Sequence, residues 1–404
     1  MGMTTRKYLT KWRAMSMATL SLLAGTLGCK NFFTPVNGTG GTTVVNTGNY
    51  AYVVNNVAST ISGFSIASTG TLTAISGLPV TLPFVPTSVV VTPSNGFLYV
   101  AGLGVLYGYT INADGTLTRI LSSTNSEALV NVDIVSMDVS PDGQWLIALD
   151  AETVIPTIDY YQIGSTGQLT VEPEVQYSLT SGATVVPNSI RIAPTGNYIA
   201  MALGTGGDVM FSFDTTTGVF SLPVQLNTGS VSAADQALAF DSAGSTLYIA
   251  RSGTGVGVYP FTIGSSNGAS TLTEVSGAPF ALGPTTTATN STVVYGPSSM
   301  VIDSTGDYLY VGNKTASSIS GFSIGTGGVL TLLSGSPFTT GSNVDALARD
   351  NSGKYILSTN LNGNPDVGLF SFDATTAGNL DVATSASTGD TAEPAGAVDI
   401  ALTH

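Results

Sequence analysis

One unit recurs seven times along this chain, and that repetition constrains its fold more than any other feature. Ile61-Ser62-Gly63-Phe64-Ser65-Ile66 returns unchanged as Ile319-Ser320-Gly321-Phe322-Ser323-Ile324. An aromatic residue two before an apolar one recurs as Phe64/Ile66, Tyr109/Ile111, Tyr161/Ile163, Phe211/Phe213, Phe261/Ile263, Phe322/Ile324 and Phe370/Phe372. A few residues after each, a turn and an apolar residue follow near Leu72, Leu117, Leu169, Phe220, Leu272, Leu330 and Leu380. A second tight turn is marked by Gly96, Gly143, Gly196, Gly244, Gly306 and Gly353, at steps of 47, 53, 48, 62 and 47 residues. Glycine supplies the positive φ that such turns require, and a preceding Pro or Asp sets their first corner. Each unit therefore reads strand, Gly turn, strand, loop, strand, Gly turn, strand, as in 298–303, 307–313, 318–324 and 329–334. Four strands at this period make the blades of a β-propeller.

The second turn appears six times, not seven, and the shortfall is informative. The chain ends on Ala397-Val398-Asp399-Ile400-Ala401, a strand of the kind that precedes such a turn, while the first unit starts one strand late at Tyr50-Ala51-Tyr52-Val53. The tail is thus expected to complete the first blade and close the ring, which removes the open edges that invite aggregation. The fold class is all-β, a seven-bladed propeller of four-stranded antiparallel blades over residues 50–404. The stretch Thr285–Thr292 reads as a surface loop of the fifth blade.

Composition agrees. Charged residues make up 9% of the 404 and hydrophobic ones 43%, a balance that supports a large core and opposes disorder. Net charge is −14; without the basic head before residue 14, seven basic residues face 25 acidic ones, or −18. Such a surface repels phosphate backbones, so nucleic acid is excluded as a partner. No His or Cys pairs and no calcium-loop pattern occur, so no metal or cofactor is expected.

The head itself reads as a targeting segment. Arg6, Lys7, Lys11 and Arg13 precede a short apolar stretch that ends at Gly28-Cys29, the pattern of a secretory signal over residues 1–28. Thr26-Leu27-Gly28-Cys29 resembles a bacterial lipobox, with Thr26 where that family usually has Leu. The resemblance implies lipidation of Cys29, the only cysteine, and anchoring to a membrane; the alternative is an ordinary signal peptide with an incidental cysteine. Residues 29–49, rich in Gly, Thr and Asn, then serve as a tether. The expected location is the cell envelope, as a lipoprotein on the periplasmic or surface face, or otherwise the secreted fraction.

The recurring Tyr-Val-x-Asn, Ile-Ser-x-Phe-x-Ile and Gly-x-Leu-Thr segments resemble those of the lactonase-type seven-bladed propellers. That group includes the 6-phosphogluconolactonase and carboxymuconate-lactonising propellers and borders on the YVTN-repeat surface proteins. The resemblance implies a site at one mouth of the central channel, built from His, Arg and acidic residues. Here Asn188 stands at the family's histidine and Ala202 at its first aspartate, with Asp208 further on. Gln236 and Ala237 stand at an Arg-His pair, and Arg251-Ser252 at an Asn-Glu pair. The only histidine is His404. Opening a lactone with water needs a proton acceptor near neutral pH and a group that stabilises an oxyanion. Without histidine, a carboxylate raised by burial is the remaining base.

Candidate residues follow from this frame. Asp138, Arg191 and Asp399 occupy equivalent inner-strand positions whose counterparts Val90, Ala239, Val301 and Ala348 are uncharged. They read as inter-blade packing charges or as a polar pocket gripping a ligand through Arg191. Arg191, Asp208 and Asp138 are the catalytic candidates. Arg251, Arg349 and Asp399, with Lys314 nearby, are candidates for ligand binding near inner-strand ends. Asp142 and Asp307 are assigned to turn capping. The first functional reading is an envelope-anchored, monomeric module that binds a surface protein or glycan on its loop face. The second is a lactonase using an altered site around Arg191 and Asp208.

Overall fold

Short apolar runs of β-branched and aromatic residues, punctuated by glycine turns, leave the chain little but pleated sheet. The computed structural model describes residues 48–124, 126–180, 184–284, 293–389 and 393–404. Over these residues the chain forms seven antiparallel sheets, each built on four strands in meander order. Blade 6 follows the expected spans closely: Pro297–Ile302, Tyr308–Asn313, Ser318–Ile324 and Leu330–Leu332. In blades 1, 3 and 6 a two-residue segment extends the outer edge. The signal, Cys29 and most of the tether lie outside the described residues, as does the Thr285–Thr292 loop. Residues 48 and 49, expected in the tether, are tied to the propeller: Thr403 Oγ1 donates to Gly48 O (2.7 Å) and Asn49 Nδ2 to Asp350 Oδ2 (2.9 Å).

The ring closes as the repeat count requires. Ala397–Leu402 pairs antiparallel with Tyr50–Asn55, placing Tyr52 opposite Ala401 and Val53 opposite Ile400. The last strand is thus the inner strand of blade 1, followed in space by 50–55, 60–66 and 72–74. Second and third strands are buried on both faces; Tyr52, Val53 and Val54, for instance, have no exposed surface. The core lies between blades. Tyr52, Val54 and Ile61 of blade 1 pack with Val89, Leu98 and Val100 of blade 2 in one cluster.

One polar contact recurs around the ring. An aromatic side chain on the second strand reaches the outer Gly turn of the next blade and donates to a backbone carbonyl. Tyr52 Oη bonds Gly115 O (2.8 Å), Tyr99 Oη bonds Gly167 O (2.9 Å) and Tyr310 Oη bonds Gly378 O (2.6 Å). Trp145 Nε1 reaches Thr215 O (2.7 Å) and Tyr355 Oη reaches Ser68 O (2.9 Å), the latter joining blade 7 to blade 1. Gly115 is fixed by this geometry: its φ is +83°, and a Cβ there would lie 2.8 Å from the Tyr50 ring. Burial pushes the Tyr52, Tyr99 and Tyr310 hydroxyls well up, which keeps them donors.

The inner Gly turns are held by aspartate. Asp142 Oδ1 accepts from Gln144 N (3.1 Å), as expected. In blade 6 the acceptor is Asp303, which takes Tyr308 N at 2.9 Å, and not the expected Asp307. Asp241 and Asp350 act alike on Thr246 N and Tyr355 N, because the residue before the turn faces the amide that reopens the strand.

Two measurements check this architecture. Tyr99→Phe and Tyr310→Phe each strand a buried carbonyl and should lower unfolding free energy by about 1–2 kcal/mol in urea titration. Truncation after Gly396 should abolish the single cooperative transition, since blade 1 then has an open inner edge.

Candidate functional site

Antiparallel pairing puts the starts of inner strands and the ends of second strands at one face of the ring. The backbone there is irregular. Register shifts fall between Asp235 and Ala237, between Pro297 and Ser299, and between Val344 and Leu347. A bulge leaves its extra residue outside the ladder and re-aims that side chain. Gln236, Ser298 and Asp345 are such residues, and all three line one cavity of about 570 Å³. Asn188 of blade 4, Ser252 of blade 5 and Lys314 of blade 6 complete its polar wall. A smaller cleft of about 260 Å³ beside Phe280 and Phe322 has no ionisable lining residue and offers no chemistry.

Inside the larger cavity the ionisable groups form one close pair. Lys314 Nζ lies 2.9 and 3.0 Å from the two Asp345 oxygens. The Asp345 side chain is 17% exposed and that of Lys314 40%. Burial raises the Asp345 carboxyl above the ordinary carboxylate range, against the opposing hydrogen bond and charge of Lys314. The result is a carboxylate held at the cavity wall beside a cation that is half in water.

Beneath the pocket lies a second charged group. Asp235 is wholly buried, Asp208 is 1% exposed and Arg251 is 7% exposed. Arg251 grips Asp235 through Nε–Oδ1 (2.6 Å) and Nη2–Oδ2 (2.9 Å), and its guanidinium lies 4.2 Å from the Tyr259 ring centre. No hydrogen-bond donor among the described residues reaches either Asp208 oxygen. Burial, followed by the Asp235 charge, drives the Asp208 carboxyl well above its usual range. The cluster supports the pocket directly. Gln236 follows Asp235, Ser252 follows Arg251, and Asn188 Nδ2 donates to Asp235 O at 2.9 Å.

The remaining candidates are scattered. Arg251 lies on a second strand and Lys314 one residue past one, neither at an inner-strand end, and Arg251 is sealed in its ion pair. Arg349 ends its inner strand at the opposite face, where Nη1 donates to Asp303 O at 2.9 Å. Asp138 and Arg191 form no ion pair among the described residues. Asp138 Oδ2 accepts Ile192 N (2.9 Å) of the neighbouring blade, and Arg191 Nη1 donates to Ile190 O (2.7 Å). Asp399 Oδ2 likewise takes Val89 N (2.9 Å) and Ser88 Oγ (3.0 Å) of blade 2. Burial raises both carboxyls, while backbone N–H bonds and the charge of Arg191 pull them back. These aspartates tie neighbouring inner strands together. The described residues hold no cluster of three metal-ligating side chains.

Asp345 escaped sequence reasoning. Alternation assigns a face only to paired residues, and Asp345 sits within a bulge. The signal that finds it is Lys314, one residue past the second strand of the preceding blade.

Residues 86–392 match the model of the lactonase family described as a seven-bladed β-propeller. The chain belongs to the seven-bladed propeller lactonase family. Solved structures agree on the fold. A putative 6-phosphogluconolactonase from Bacteroides fragilis superposes with TM-score 0.65 at 17% identity, over 90% of this chain and 100% of that one. The periplasmic gluconolactonase PpgL of Pseudomonas aeruginosa gives 0.67 at 16%, over 88% and 99%. A Lactobacillus plantarum protein gives 0.68 at 17%, over 89% and 100%. A comparison with curated protein sequences finds no match. Within this lactonase-family propeller, three of the six positions matched by resemblance, Asn188, Gln236 and Ser252, share a single cavity although 64 residues of chain separate the first from the last, while Ala202, Ala237 and Arg251 do not line it.

The buried cluster carries a prediction. Arg251→Ala leaves two carboxyls buried without a cation and should destabilise the protein by about 3–5 kcal/mol. Asp208→Asn should cost far less and should become stabilising as pH rises. A carboxyl whose pKa is raised on folding favours the fold below its unfolded value of about 4 and loses that contribution as pH climbs towards the folded value. Urea titrations of both variants from pH 4 to 8 measure the difference.

Proposed function

We propose that this protein hydrolyses a lactone at the channel mouth, with Asp345 as general base and Lys314 as the oxyanion partner. The observation that carries the reading is the Lys314–Asp345 pair, which lines the same cavity as Asn188, Gln236 and Ser252, three of the six family-matched positions. Family membership favours lactone chemistry over a purely binding role. Water held against Asp345 gives up a proton to the carboxylate as its oxygen attacks the ring carbonyl. The Lys314 ammonium faces the charge that gathers on the carbonyl oxygen. The ring C–O bond then breaks, and the proton passes from Asp345 to the departing ring oxygen, leaving a hydroxy acid. A base raised by burial is better matched to neutral pH than an exposed carboxylate, which is what the missing histidine demands.

The replacements at Asn188, Gln236 and Ala237 favour a second reading, a propeller that binds its ligand without turning it over. Activity decides between them. With D-glucono-1,5-lactone as substrate, Asp345→Asn should lower kcat/KM by about 100-fold or more, the usual scale for a general base. Lys314→Met should lower kcat with a smaller change in KM. Because Asp345 works as the carboxylate, kcat/KM should rise with pH through a value above the ordinary carboxylate range and then level. Absence of turnover above the uncatalysed rate in the unaltered protein would overturn hydrolysis and leave the binding reading.

The same reading places the protein outside the cytoplasm, held by a lipid on Cys29. The basic head, the apolar stretch and the Gly28-Cys29 step support it, and the Pseudomonas neighbour is described as periplasmic. Cys29→Ser should move the protein from the membrane to the soluble fraction and abolish incorporation of labelled palmitate.

A further inference from the structure

We infer that the mouth pocket takes a neutral, polyhydroxylated ring and turns away its phosphorylated counterpart; the inference deepens the lactonase reading above and names its substrate class. Positive charge is scarce around the pocket. Seven basic residues follow the basic head: Lys30, which lies outside the described residues, and Arg119, Arg191, Arg251, Lys314, Arg349 and Lys354. Arg119, on the outer strand of blade 2, pairs with Glu127 at 3.4 Å and lies over the Tyr107 and Tyr109 rings. Arg191 lies within an inner strand and donates to its own blade's backbone, near Asp138 and Asp399. Arg349 and Lys354 flank the inner turn of blade 7, on the face away from the pocket. Arg251 lies beneath the floor, wholly engaged by Asp235. Among the described residues only Lys314 reaches the cavity, and it is paired with both oxygens of Asp345, so the two together carry no net charge to offer a dianion.

The residues that precede Val294 in sequence add no basic side chain. Residues 285–292 are Thr, Ala, Asn and Ser alone. A bound phosphate dianion would therefore face Asp345 with no cation left over, inside a protein of net charge −14. Buried anions without a paired charge are strongly disfavoured. What the wall does offer is hydrogen bonding to hydroxyls: the amides of Asn188 and Gln236 and the hydroxyls of Ser252, Ser298 and Thr315.

The test compares D-glucono-1,5-lactone with its 6-phosphate by loss of hydroxylamine-reactive lactone, using the purified full-length protein. In parallel, calorimetry compares 1,5-anhydroglucitol with its 6-phosphate, rings that cannot be hydrolysed. The neutral member should be favoured about 30-fold in kcat/KM and in affinity, the scale of two unpaired charges brought near a carboxylate. Gln236→Arg, which adds a guanidinium to the wall, should raise kcat/KM for the phosphorylated lactone at least about tenfold with no gain for the neutral one. Equal or better use of the 6-phosphate would overturn the inference while leaving hydrolysis intact. Selective binding of the neutral ring without turnover would uphold the pocket's preference and remove the hydrolase reading. Binding of neither ring would overturn the inference.

Discussion

Everything in this molecule depends on the last strand of the chain finding the first. Ala397–Leu402 supplies the inner strand of blade 1, and without it that blade would keep three strands and an open inner edge at Tyr50–Asn55. The closure is reinforced on each side. Asp399 reaches across to Val89 N of blade 2, Thr403 Oγ1 holds Gly48 O, and Asn95 of blade 2 exchanges hydrogen bonds with the His404 backbone at 2.7 and 2.9 Å. Joining chain ends in one sheet makes the ring a single cooperative object, since no blade can leave without opening a neighbour's core. With the lone cysteine outside the propeller, no disulfide contributes to this closure.

A chain with so few charges needs another means of fixing blade against blade, and it uses backbone carbonyls as acceptors. Tyrosine hydroxyls reach the outer turns of the following blade. Bulge hydroxyls do the same work at the other end: Thr87 Oγ1 donates to Ile134 O (2.6 Å) and Ser298 Oγ to Val344 O (2.8 Å). Each such bond joins a side chain of one blade to the main chain of the next, so it tolerates variation in the partner's side chain. That is why units with little common sequence still stack in one ring. It also frees the few true charges for special positions.

Repeat count, strand spans and ring closure were legible because they rest on periodicity, and periodicity is a property of sequence alone. Of the charged candidates, Arg251, Lys314 and Asp208 lie in or under the pocket, while Asp138, Arg191, Asp399 and Arg349 belong to the inner strands. Sequence could not separate these sets. Asp138 and Asp399 share a register with Arg191, yet each carboxylate turns sideways to a neighbouring backbone N–H, a choice made by the spacing between blades. Asp235, which anchors Arg251, has no counterpart in the repeat pattern that would set it apart. Asp345 was invisible for a sharper reason: a bulge breaks the two-residue alternation from which facing is read. The residues hardest to read were the ones displaced from the ladder into the pocket.

The pocket and the ring are not independent. Asp235 holds Arg251 with its side chain, while its carbonyl accepts Asn188 Nδ2 and Gly204 N of blade 4, and its own N–H returns to Gly204 O. One residue is therefore both the floor of the site and the joint between blades 4 and 5. The bulge that frees Gln236 is fixed on one side by that joint and on the other by the ladder resuming at Ala237. Asp345 is placed in the same manner, between the paired residues Val344 and Leu347, with Lys314 closing on it from blade 6. Since the groups facing the cavity come from four blades, their mutual distances are set by blade packing and not by any one loop. A site assembled this way gains its precision from the closure of the ring, and a carboxylate so positioned can be kept half-desolvated without a histidine to replace it.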